Sequence, residues 1–212
     1  MPRKICKHCQ RPISVCICEY MTTLTAPCEL VVLQHPSEQK QALATVPILQ
    51  ACFTNLTLII GEQLANESQV KTILDNPEGT YVIFPADGSE VWNMAPFDTK
   101  DEPTQQLEGL PKRLIILDGT WRKAKLLWHL NPWLHSFKTI SLEGMPNSEY
   151  LIRSSTVPGG VSTLEAVMHC CNYLSKGQEY SPLLRPFKAM IDWQIKKMGK
   201  ETFLAHYGNT DN

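Results

Sequence analysis

Four stretches of the 212-residue chain carry side chains that can do chemistry. The first is Cys6, Cys9, Cys16 and Cys18, spaced C-x2-C-x6-C-x-C. Four thiolates can close a tetrahedral zinc site with no ligand position left open, which makes the site structural. Four unrelated thiols or a redox pair are the plainer readings, but this clustering favours zinc. His8 could replace one cysteine as ligand. The second stretch is "QHPSE", with His35 and Glu38 as a possible acid/base pair. The plainer and preferred reading gives Pro36 a turn and Ser37 or Glu38 the cap of a following helix.

The third stretch is "RLIILDGTWRKAKLLW". An apolar strand ends in Asp118, Gly119 makes a turn, and Thr120 stands where a helix N-cap is expected. A carboxylate at the mouth of a parallel sheet is a common catalytic placement. Arg122, Lys125 and His129 share one face of the following helix, which is either solvated or turned to phosphates. Trp121, Ala124 and Trp128 share another, which reads as core. The fourth stretch is "YLIRSSTVPGGVSTLEA". Ser162 to Glu165 fits a capping box, and the Gly-Gly loop before it exposes backbone N–H groups to a polar ligand. Arg153 is a candidate carboxylate or phosphate clamp, although a lone arginine more often makes a surface ion pair.

An alternation of strands and helices must position these groups. Apolar, β-rich runs at 29–34, 56–61, 80–84 and 113–118 read as strands. Helices are expected over 39–52, 67–75, 120–130, 162–175 and 186–198. Buried strands alternating with helices imply an α/β fold, a mostly parallel sheet with helices on both faces. Residues 93–111 read as a polar surface loop. The organisation expected is a Cys-rich segment, 1–24, followed by one domain, 25–212. Ligands should gather after the strands, at "QHPSE", "GE", "PADGS" and "DGTW". Neither a Walker A motif nor G-x-G-x-x-G occurs, which removes P-loop and ordinary dinucleotide folds. Net charge is −1 and the pI about 6.6, so a large polyanion would need a local basic patch. No apolar run is long enough to cross a membrane and the N-terminus has no secretion signal, which points to a reducing, cytoplasmic setting. Cys28, Cys52, Cys170 and Cys171 read as small buried residues.

In this order, the cysteine cluster, "LQHPSE", "IFP", "LDGTW", "YLIR" and "STLEA" resemble the DTW-domain family, named for the motif that here is Asp118 to Trp121. The resemblance implies a tRNA-uridine aminocarboxypropyltransferase. Such enzymes move the 3-amino-3-carboxypropyl group of S-adenosylmethionine to N3 of a uridine, in bacteria typically at position 47 of the variable loop, and release 5′-methylthioadenosine. It also implies a SPOUT-like fold with a C-terminal trefoil knot. Phe84, Pro85, Leu117, Gly119, Thr120, Ser162, Thr163 and Leu164 would then line the cofactor pocket. Asp118 would stand at the transfer centre, as proton acceptor or as partner of the cofactor's ammonium. Trp121 would wall the pocket, and Arg153 would hold a carboxylate or phosphate. Arg122 and Lys125 would meet tRNA, and the zinc would be structural. Val46 departs from a basic pattern expected of relatives. No obligatory protein partner is implied. The alternatives are a methyltransferase of the same fold, the same transfer on ribosomal RNA, and a zinc-bearing RNA-binding module without catalysis.

Overall fold

The computed structural model describes residues 4–94, 110–150, 152, 160–175 and 180–207. Six strands form one sheet: β1 (Glu29–Gln34), β2 (Leu56–Ile60), β3 (Thr80–Ile83), β4 (Glu90–Asn93), β5 (Arg113–Asp118) and β6 (Lys138–Glu143). Their order is β2-β1-β5-β3-β6-β4, and every pairing is parallel. Successive side chains in a strand face opposite sides, so β1 and β5 serve two cores. Leu30, Val32, Leu114 and Ile116 enter one cluster. Val31, Leu33, Ile115 and Leu117 enter the other. A strand whose interior positions are all apolar is what this two-sided burial requires.

The larger core takes in α1 (Val46–Cys52), α4 (Thr163–Ser175) and α5 (Leu184–Met198). In α4 the buried positions Leu164, Val167, Met168, Cys171 and Leu174 recur at helical spacing. The smaller core receives α2 (Ser68–Asp75) through Val70 and Ile73, and α3 (Trp121–Leu130) through Ala124 and Leu127. Asn131 closes α3. Its side chain is fully buried, donates to the carbonyls of Glu62 and Leu127 (both 2.8 Å) and accepts from Leu64 N–H at 2.8 Å. Among the described residues no helix is long and apolar enough to cross a membrane.

Several expectations need correction. The helix expected over 39–52 begins only at Val46. Pro47 lacks an N–H and is accommodated only in a first turn. Neither Ser37 nor Glu38 caps it; instead His35 caps a single turn of 3-10 helix, Pro36–Glu38, by accepting from Ser37 N–H. Thr120 occupies the N-cap position of α3 without a side-chain capping bond. Strands β4 and β6 and helix α6 (Lys200–Tyr207) were not expected. Gly199, with φ +89° and ψ 143°, ends α5 in a positive-φ conformation that glycine adopts readily, and α6 follows. The 93–111 loop lies mostly outside the described residues. The four scattered cysteines are buried, as read.

Candidate active site and metal centre

A cavity of about 510 Å³ opens over the C-terminal ends of β3, β5 and β6. It is bounded by Phe84 and Pro85 after β3, by Leu117 to Arg122 at the β5–α3 turn, by Ser141, Leu142 and Met145 at the end of β6 and just beyond it, and by Gly160 to Thr163 at the start of α4. Its size suits a ligand as large as a nucleoside derivative. It gathers sequence positions far apart because parallel strands all end on one side of a sheet.

Asp118 anchors the polar end. It is 7% exposed. Thr163 Oγ1 donates to Asp118 Oδ1 at 2.6 Å, and Gln34 Nε2 donates to Oδ2 at 2.9 Å. The two donors fix the carboxylate's plane. Gln34 is there because the parallel register sets it opposite Asp118, and sequence reading missed it. Gly119 completes the turn. Its φ is +155°, and a Cβ there would lie 2.8 Å from Lys123 Cβ. Glu38, also on the wall and buried, pairs with Lys123 Nζ at 2.6 Å and ties the post-β1 turn to α3. His35 is not the partner of Glu38; its Nε2 meets Glu62 at 3.0 Å.

The start of α4 is the capping box expected. Ser162 Oγ accepts from Glu165 N–H at 3.2 Å, and the Glu165 carboxylate accepts from Ser162 N–H at 2.8 Å. Glu165 does more than cap. It is buried, and it also accepts from Ser148 Oγ and Glu149 N–H. One carboxylate therefore joins the two loops that close the cavity. His169, one turn further along α4, has its pKa lowered by burial.

Of the residues singled out from sequence, the cavity brings together Asp118, Trp121, Phe84, Pro85, Leu117, Gly119, Thr120, Ser162 and Thr163, with Arg122 also on its wall. Leu164 is fully buried in the core and does not line it. Lys125 is exposed on α3 beside Arg122. Arg153 lies outside the described residues. Missed with Gln34 were Ser148, Met145, Ala44 and Thr45, which had no motif to mark them, and Tyr150, which stood in "YLIR" without being assigned a role. Tyr150 closes one side; its hydroxyl donates to Leu43 carbonyl and its ring meets Phe187 edge-on at 5.0 Å.

The four sulfurs of Cys6, Cys9, Cys16 and Cys18 lie within 4.8 Å of one another. Cys6 and Cys18 are 3.6 Å apart, and Cys9 and Cys16 are 3.7 Å apart. Thiolates ~2.3 Å from one zinc ion stand ~3.8 Å apart at tetrahedral angles, so the set fits a closed four-thiolate metal site. The backbone N–H groups of Cys9 and His8 point at Cys6 and pull its thiol down to about 6. His8 Nδ1 lies 3.4 Å from the Cys18 sulfur, beside the cluster. The unit is packed onto the domain, with Cys9 and Ile17 in the larger core.

A model of the DTW domain family matches residues 3–195. The chain is 32% identical over 215 residues to a mouse protein named tRNA-uridine aminocarboxypropyltransferase 2, covering 96% of this chain and 70% of that one. A Drosophila melanogaster protein of the same name is 29% identical, over 91% of this chain and 76% of its own. Arabidopsis thaliana tRNA-uridine aminocarboxypropyltransferase A is 26% identical, over 92% and 82%. No solved structure matches the chain.

Proposed function

The chain belongs to the DTW domain family, and on that premise we propose that it transfers the 3-amino-3-carboxypropyl group of S-adenosylmethionine to N3 of a uridine in tRNA. The position proposed is 47, in the variable loop. The observation that carries this reading is the anionic end of the cavity, where Gln34 and Thr163 hold the Asp118 carboxylate. S-adenosylmethionine supplies a sulfonium whose γ-carbon accepts a nucleophile and whose departure leaves 5′-methylthioadenosine.

The chain's residues divide this work. Phe84, Pro85, Leu142 and Met145 offer apolar surface for a nucleoside. Gly160 to Thr163 line the same cavity at the start of α4, where helix N–H groups favour polar ligand atoms. Asp118 gives the cavity negative charge that suits a cationic donor, and its fixed plane orients an ammonium group. Trp121 walls the mouth, and Arg122 and Lys125 offer cations there for RNA phosphates. Arg153 is assigned the donor's carboxylate or a phosphate. The target base must leave its stack to enter such a cavity. The fold is proposed to be SPOUT-like, with a C-terminal trefoil knot formed by the loops around this cavity. The four-cysteine unit, residues 1–24, is proposed to hold structural zinc, and the enzyme to work in the cytoplasm.

The test is reaction of the purified protein with S-adenosylmethionine and unmodified tRNA, read by mass spectrometry of digested nucleosides and spent cofactor. An aminocarboxypropyl-uridine with methylthioadenosine is expected. A methylated nucleoside with S-adenosylhomocysteine would replace the reaction by methyl transfer.

A further inference from the structure

Residues 42–45 form part of the cavity wall through Ala44 and Thr45, yet they precede α1 and belong to no strand or helix. Three successive carbonyls in this segment are held by side chains from elsewhere. Arg11 Nη1 donates to Ala42 carbonyl at 2.9 Å, and Arg11 Nη2 donates to Ala44 carbonyl at 3.3 Å. Tyr150 donates to the carbonyl between them, that of Leu43. Arg11 Nη2 also contacts Met190 Sδ on α5 at 2.7 Å. Arg11 is thus inserted between the wall segment and α5.

Arg11 is set by the cysteine unit. It lies between Cys9 and Cys16, and its carbonyl accepts from Cys6 N–H at 2.7 Å. Next to it, Pro12 pairs with Ile5 in an antiparallel bridge. The turn that presents the guanidinium is therefore the turn that a metal bound to Cys6 and Cys9 would close. The segment is held by few buried side chains: Cys9 and Ile17 enter the core, Cys6, Cys16, Cys18, Met21 and Leu24 pack alongside, and Leu24 N–H donates to Cys52 carbonyl.

We propose that Arg11 is a positioning residue that couples the four-cysteine metal site to the S-adenosylmethionine cavity, by fixing the carbonyls of Ala42 and Ala44 in the segment that brings Ala44 and Thr45 to the cavity wall. This rests on the functional reading above for the identity of the ligand, but not for the coupling between metal site and wall. Because coupling between two sites is reciprocal in binding free energy, ligand in the cavity must also tighten binding of the metal.

The experiment compares wild type with Arg11→Ala, each with zinc bound and after removal by a thiol reagent with chelator. The readouts are zinc content, S-adenosylmethionine affinity by calorimetry, and hydrogen exchange. Arg11→Ala is expected to keep one zinc per chain and to bind S-adenosylmethionine about tenfold more weakly. Zinc removal should weaken wild type by a similar factor and Arg11→Ala by less than about twofold. In wild type, S-adenosylmethionine should raise zinc affinity in competition with a chelator; in the variant it should not. Equal affinities of the two zinc-bound proteins, or equal further losses on zinc removal, would overturn the coupling. Hydrogen exchange of wild type alone covers a variant that fails to fold: zinc removal should expose the amides of Ala44 and Ile48 while β2 and α2 stay protected. Unchanged protection there would also overturn it. If wild type binds no S-adenosylmethionine, the functional reading fails, and the exchange result still decides the coupling.

Discussion

The four-cysteine cluster and the Asp118 cavity are both small polar sites, yet they are assembled in opposite ways. The cysteine unit draws its four thiols from a short local segment, with little core of its own beyond Cys9 and Ile17. A segment of that kind depends on its metal for order. The cavity draws Gln34, Asp118 and Thr163 from the ends of β1 and β5 and the start of α4. The sheet holds them whether or not a ligand is bound. Side-chain changes at the cavity should therefore alter chemistry and spare the fold, whereas changes at the cysteines should alter local folding first.

The sharpest test of that contrast is Asp118→Asn. The amide is isosteric and can keep its contacts with Gln34 and Thr163, so melting temperature should stay near wild type. Turnover should fall by about 10²–10³-fold, the usual effect of deleting a fixed electrostatic group. S-adenosylmethionine affinity should fall with it, because the lost charge faces a cationic ligand. Intact affinity with lost turnover would reassign Asp118 as acceptor of the N3 proton.

Cys9→Ser tests the other half. Cys9 is one of the four clustered thiols and 1% exposed, so the change removes a proposed metal-binding thiolate and buries a hydroxyl. Metal affinity should drop by at least about 100-fold, beyond the loss expected for a residue that only supports a ligand. Amide protection over residues 5–20 should vanish while that of β1 and β5 persists. Loss of protection throughout the sheet would show that the unit is integral to the domain and would break the contrast.

The same contrast explains what could be read before the structure. The cysteine unit was legible because its ligands are close in sequence. Strands β1 and β5 were legible to the residue, being apolar at all four interior positions. The β4 strand is four residues long at the sheet edge, with exposed Val91, and β6 mixes exposed and half-buried positions; neither has a clear period. The late start of α1 was signalled by Pro47, which the apolar pattern around it outweighed. In the cavity, Asp118, Ser162 and Thr163 stood out by motif. Gln34 did not, because its role depends on β1 lying beside β5, and strand order is a property of the whole sheet. Glu165 was legible as a cap but not as the tie between two loops, since Ser148 and Glu149 reach it only in three dimensions.

A smaller effect is expected at Gly119. A Cβ there would sit 2.8 Å from Lys123 Cβ with φ at +155°. Gly119→Ala should push the β5–α3 turn away from Glu38 and cost about 1–3 kcal/mol, as overpacking does. Chemical denaturation measures this, and turnover should fall more than stability because Asp118 moves with the turn. Wild-type turnover in a destabilised Gly119→Ala would show that the turn's backbone is not what aims Asp118.

The smallest effect distinguishes the two regions by pH. Burial lowers the pKa of His169, and the neighbouring Glu165 charge opposes that only in part. The unfolded chain, with an ordinary imidazole, then binds more protons than the folded one as pH falls below about 6.5. Stability rises with pH wherever the unfolded state binds more protons, so folding should weaken as pH drops through that window and level off below the lowered folded value. His169→Gln removes the titrating group and should flatten the decline in melting temperature between about pH 7 and 5.5. The comparison belongs on protein whose metal content has been measured at each pH, because acid also protonates cysteine ligands and releases metal. A decline that persists unchanged in His169→Gln, at constant metal content, would place the acid sensitivity in other titrating groups of the domain.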